Sequence, residues 1–161
     1  MTDLVFLPLT PDELAAWASG GRRPGPASGY TVTPAMAAAF GFDDPAGDDA
    51  SHTALCVASL AGLLRHGVRL VAVAELPWQE AEDDLPGSAE FGAVSVGEAD
   101  FAAVTALFGE GSDAAAVTAL ATALDGVPLE QAWERDEVQE LLADGALAWY
   151  GPAEWRQLLG G

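Results

Sequence analysis

Val68-Arg69-Leu70-Val71-Ala72-Val73-Ala74-Glu75-Leu76 is the stretch on which the fold turns. Aliphatic and β-branched residues follow one another with only Arg69 and Glu75 charged, and so continuous an apolar run marks a strand buried on both faces. Such a strand needs cover above and below. The residues before it supply one cover. Leu55, Cys56, Ser59, Leu60, Leu63 and Leu64 keep a helical period over 50–66. That helix closes with Arg65-His66-Gly67, cations at the negative end of its dipole and a glycine beyond.

Further out, three short apolar runs pass straight into helix starts with proline at the first helical position: Phe6-Leu7-Pro8-Leu9-Thr10-Pro11-Asp12-Glu13, Tyr30-Thr31-Val32-Thr33-Pro34-Ala35 and Leu147-Ala148-Trp149-Tyr150-Gly151-Pro152-Ala153-Glu154. Thr10 and Thr33 are placed to accept from first-turn amides, the prolines fill a position whose N–H has no partner, and Glu13 and Glu154 stand where a capping box puts its carboxylate. Strands are expected over 4–9, 30–33, 68–76, 91–96, 103–108 and 146–150. Helices follow at 11–19, 34–40, 50–66 and 112–124, then to about 143 after the Gly126-Val127-Pro128 break, and finally to 159. Residues 22–29 read as a loop, and 77–90 as a mobile acidic loop. The order βαβααβββααβα predicts an α+β fold, residues 1–161 forming a single domain with a mixed β-sheet of about five to six strands packed with helices.

With 161 residues and 50% of positions apolar, the chain is long enough to bury one real core. Twenty-five acidic residues face six arginines and no lysine, for a net charge of −19. That balance repels phosphate backbones, which argues against nucleic acid and leaves basic partners favoured. The missing lysine excludes a Walker A loop and lysine Schiff-base chemistry. GC-rich coding and adaptation to salt would each produce this composition. The lone Cys56 allows no internal disulfide, Met1-Thr2-Asp3 lacks a basic segment, and no apolar run approaches the roughly 20 residues of a membrane helix. A cytoplasmic protein without membrane association is expected.

Few residues gather into chemistry. Of the three helix starts, only the one at Pro34 lacks a first-turn carboxylate, and Arg22-Arg23 precede its strand, so Arg22, Arg23, Thr33 and Ala35 form the candidate anion site. Gly109-Glu110-Gly111-Ser112-Asp113-Ala114 fits a dinucleotide-binding spacing, but Glu110 and Asp113 would flank the pyrophosphate, and a turn with a Ser112 helix cap explains the same residues. His52 and Cys56, four apart, make half a metal site at most, and Asp43, Asp44, Asp48 and Asp49 lack EF-hand spacing. No catalytic residue, metal or cofactor is assigned. Trp149, Tyr150 and Trp155 form a candidate aromatic patch. Alternation along a strand sends Trp149 and Tyr150 to opposite faces, one toward the core and one toward an edge or the surface.

Tyr30-Thr31-Val32-Thr33-Pro34-Ala35-Met36, the long helix running into Arg69-Leu70-Val71-Ala72-Val73-Ala74, and Leu147-Ala148-Trp149-Tyr150-Gly151-Pro152-Ala153-Glu154-Trp155 resemble an uncharacterised family of short acidic proteins from high-GC Gram-positive bacteria, domain-of-unknown-function family 6912. The resemblance covers most of the chain. It implies an acidic residue at the end of the third strand, matched by Glu75, and carries no mechanism.

Two functions remain. The first is a non-enzymatic acidic protein–protein interaction module, binding a protein partner or forming a homo-oligomer through an apolar or aromatic patch. The second is a small-molecule (anion) binding domain or small hydrolase-like enzyme using carboxylates.

Overall fold

The structure, a computed structural model, describes residues 3–80, 89–110, 114–144 and 147–160. Its spine is the antiparallel pair of β1 (Asp3–Pro8) and β4 (Val71–Leu76), joined over six residues from Asp3↔Leu76 to Pro8↔Val71. On the far side of β1 lie β3 (Ala27–Tyr30), β6 (Ala93–Val96) and the two-residue β5 (Gln79–Glu80). On the far side of β4 lie β8 (Val104–Glu110) and β9 (Leu147–Tyr150), giving the order β5-β6-β3-β1-β4-β8-β9. The fold is α+β, as expected. Every neighbouring pair runs antiparallel, so strand direction is more uniform than the element order suggests.

Period-two alternation divides the strands between two cores. Val5, Leu7, Ala72, Ala74 and Leu107 point to one face, where Leu14 and Trp17 of α1 (Pro11–Gly20) cover them and Leu158 of α7 (Trp155–Leu158) packs alongside. Phe6, Tyr30, Val71 and Val73 point to the other, against Met36 of α2 (Pro34–Phe40) and the inner side of α3 (Asp48–His66). The outer side of α3 buries Leu60 and Leu63 against α4 (Ala114–Ala123), α5 (Leu129–Trp133) and α6 (Asp136–Asp144). Enclosed between sheet and helices, α3 is buried at every position from Ala54 to Leu63, which is why its sequence is apolar nearly all round.

The helix starts form as their residues dictate. Thr10 Oγ1 accepts from Glu13 N and Glu13 Oε1 accepts from Thr10 N, both at 3.1 Å, a complete capping box. Thr33 Oγ1 accepts from Met36 N at 3.1 Å. At the third junction Gly151 has no side chain to contribute, so only the Glu154 half exists: Gly151 N donates to Glu154 Oε1 at 2.9 Å.

The differences from expectation are tertiary in origin. Arg22–Arg23, read as loop, form β2 and pair with β7 (Ala99–Asp100) as a separate two-stranded ribbon. Trp17 holds that ribbon against α1, its Nε1 donating to Ala99 O at 3.0 Å and its ring meeting Phe101 edge-on at 5.5 Å. The acidic stretch 77–90 carries β5 at one end and a 3-10 turn, Ala89–Phe91, at the other; residues 81–88 lie outside the described ones. The helix expected up to 143 is two, α5 and α6. No helix among the described residues is long and apolar enough to cross a membrane.

Gly92 sets the turn between that 3-10 segment and β6. Its φ is +80°, a Cβ there would lie 2.1 Å from Thr31 O, and Gly92 O accepts from Thr31 N at 3.0 Å. Gly92→Ala is expected to lower the unfolding free energy by about 2 kcal/mol or more. Gly97→Ala, whose Cβ meets nothing within 4 Å, should change it by less than about 0.5 kcal/mol. Urea unfolding of the two variants provides the check, and equal midpoints would contradict this description of the turn.

Candidate functional site

The two arginines before the Pro34 helix are engaged by carboxylates. Arg22 Nη1 lies 2.8 Å from Glu98 Oε1 and its Nε donates to Asp100 Oδ1 at 3.0 Å; these contacts, the Asp100 bond foremost, raise its pKa further. Arg23 Nη2 donates to Glu13 Oε2 at 3.1 Å, and its guanidinium stands 6.0 Å from the Trp17 ring centroid. Thr33 caps α2, and Ala35 is exposed in its first turn. No hydrogen bond or ion pair among the described residues joins either arginine to Thr33 or Ala35. The arginines tie β2 to β7 and to α1.

On α3, Cys56 Sγ and His52 Nε2 are 3.6 Å apart. Burial pushes the Cys56 thiol up and so disfavours the thiolate, opposed in part by the charge of Arg69. Among the described residues no three His, Cys, Asp or Glu side chains group as metal ligands.

Gly109 and Glu110 end β8, while 111–113 of the Gly-x-Gly motif lie outside the described residues. A Cβ on Gly109 would stand 3.2 Å from Leu158 Cγ, so the missing side chain admits a leucine of the C-terminal helix. Glu110 meets Arg69. Arg69 Nε donates to Glu110 Oε2 at 2.7 Å and its Nη2 donates to Oε1, a bidentate pair linking the approach to β4 with the end of β8. The Arg69 side chain is 1% exposed and that of Glu110 21%. The pair lines a cleft of about 260 Å³ together with Val68, Leu70, Val117, Leu158 and Leu159. Arg69 was visible as the one cation in an apolar run, but its partner 41 residues away left no local signal.

The aromatic residues divide. Trp149 is 62% exposed on β9, the last strand of the sheet, opposite Phe108. Tyr150 and Trp155 are half-buried against the α1-side core, with Arg156 stacked 4.9 Å from the Trp155 ring centroid. Of the strand pair, Trp149 is therefore the surface residue and Tyr150 the core-facing one.

The α+β sheet is thus covered on both faces, with an ion-paired cleft at the end of β8 and, among the described residues, Trp149 exposed on the terminal strand. A family model matches residues 4–159, and the chain belongs to that family, the family of unknown function DUF6912. Neither the curated proteins nor the solved structures yield a match.

The exposure difference within the ion pair predicts unequal single variants. Glu110→Leu strands a buried guanidinium and should cost about 3 kcal/mol or more, whereas Arg69→Met leaves a carboxylate that water can reach and should cost less. The double variant is expected to recover most of the loss; denaturant titration of all three tests this, and equal losses in both singles would refute it. For Cys56, a raised folded pKa contributes stability fully below the unfolded thiol pKa of about 8.5 and loses it as pH climbs through the folded value. The native thiol should therefore resist iodoacetamide at about pH 8 and react only on unfolding, with alkylation followed by mass; rapid native alkylation would contradict it.

Proposed function

We propose that this protein is a non-enzymatic interaction module that takes up an extended, basic segment of a partner protein along β9, with Trp149 as the anchor. The observation that carries the reading is a tryptophan left 62% exposed on the terminal strand of a seven-stranded sheet. An edge strand offers unpaired N–H and C=O groups to an added strand, and aromatic side chains dominate the energetics of such contacts. The charge chooses the partner. Of six arginines, Arg22, Arg23, Arg69 and Arg135 are already paired with carboxylates, and the net charge of −19 favours a cationic segment over a second copy of the same acidic chain. Small-anion binding has less support, because the arginines that would serve it are taken up by Glu13, Glu98 and Asp100.

The test uses a synthetic peptide alternating Lys and Val, with a Glu/Val peptide as control. The basic peptide is expected to slow amide exchange at residues 147–150 and to bind less tightly as salt rises. Trp149→Ala should weaken it about tenfold or more. Equal binding of the acidic control, protection elsewhere in the chain, or an unaffected Trp149→Ala variant would overturn the reading. So would sedimentation showing a dimer that protects 147–150 by itself.

A further inference from the structure

At the end of the sheet away from β9, a groove of about 350 Å³ lies at β5 and β6. Pro26, Pro77, Trp78 and Val96 give it an apolar lining, and Gln79, Ser95 and Gly97 complete it. Trp78 is half-buried against the α1-side core, and its Nε1 donates to Asp3 Oδ2 at 2.8 Å, which fixes the indole in place. A held tryptophan accompanied by prolines is the kind of surface on which further proline rings pack. The polar groups of the groove have donors to give. Among the described residues no hydrogen bond takes up the exposed Gln79 side-chain amide or the half-buried Ser95 hydroxyl.

A polyproline II segment supplies the counterpart. Its prolines bring no N–H to leave unsatisfied, its carbonyls have no partner within the helix, and its backbone is ordered before it docks. Charge selects what accompanies the prolines. No lining side chain is charged, and the carboxylates that adjoin the groove are Asp3, Glu80 and Glu98. Glu98 is answered by Arg22, while Asp3 and Glu80 join no ion pair among the described residues, so the rim is net acidic. That rim is complementary to a cationic segment. At about three residues per turn, a chain with arginine at every third place sets its charges along one side and its prolines along the others.

We infer that this groove docks a proline-rich, arginine-bearing segment of a partner protein in the polyproline II conformation, its rings on Trp78 and its carbonyls accepting from Gln79 and Ser95. The two surfaces lie at opposite ends of the sheet, so the inference is independent of the β9 reading. Three blocked peptides separate conformation from charge: repeats of Pro-Pro-Arg, of Ala-Ala-Arg and of Pro-Pro-Glu, titrated into the full-length protein and followed by chemical shift. The Pro-Pro-Arg peptide is expected to give saturable shifts at the Trp78 indole N–H, the Gln79 side-chain amide and the Ser95 and Gly97 amides, weakening as salt rises. The Ala-Ala-Arg peptide should bind about tenfold more weakly, and the Pro-Pro-Glu peptide should not saturate. Trp78→Ala should weaken the Pro-Pro-Arg peptide about tenfold or more. Gln79→Ala combined with Ser95→Ala, which leaves the Trp78–Asp3 bond in place, should weaken it about fivefold and serves where Trp78→Ala does not fold. Equal affinity for the two arginine peptides, saturable binding of the glutamate peptide, or shifts confined to 147–150 would overturn the inference. So would the same resonances moving with protein concentration alone, the mark of a second copy in the groove.

Discussion

The six-residue pairing of β1 with β4 is the constraint from which the architecture follows. Both strands carry apolar side chains on both faces, so neither face of the sheet can be left to water, and each acquires helices. On one face the cover is thin, α1 with the short α7, anchored by Trp17 and by Leu158 over Gly109. On the other it is two layers deep. There α3 is itself sealed by α4, α5 and α6, and Phe40, Phe91 and Trp133 meet edge-on at 5.6–5.8 Å to tie α2 and α5 together.

How much of this was legible depends on how far apart the cooperating residues lie. The capping box at Thr10 and Glu13 and the cap at Thr33 rest on partners three residues away and could be read directly. The split between Trp149 and Tyr150 followed from alternation, although choosing the exposed one required knowing that β9 ends the sheet. The β2–β7 ribbon had no such signal. Arg22 and Asp100 are 78 residues apart, and a two-residue strand has no periodicity to detect. The anion site suggested by Arg22, Arg23, Thr33 and Ala35 rested on sequence adjacency, and the arginines' carboxylate partners come from α1, from β7 and from Glu98 just before it. The cleft was hidden for a related reason: its lining comes from four separated parts of the chain, around Pro11, 67–70, 109–118 and 158–159.

The cleft and the aromatic edge are neighbours. In the β8–β9 ladder Glu110 lies opposite Leu147 and Gly109 opposite Ala148, so two residues that line the cleft also hold the edge strand in register. A change at Gly109 or Glu110 therefore acts on both features at once. The opposite end of the sheet is built differently, with the two-residue β5 closing against β6 and the Trp78 indole donating to Asp3 at 2.8 Å.

The position of β1 also sets the timetable of synthesis. Of the strands in this sheet, β1 is made first and stands in the middle of the finished order, and its main partner, β4, is not complete until Leu76 has been made. At roughly 5–20 residues per second that gap is on the order of several seconds. Through that interval Val5, Phe6, Leu7 and Leu9 are exposed on a nascent chain with a single ladder contact to β3 at Tyr30. A strand with four of its six residues buried in the finished fold thus waits for its main partner during synthesis, and the acidic residues Asp3, Asp12 and Glu13 flank it with charge.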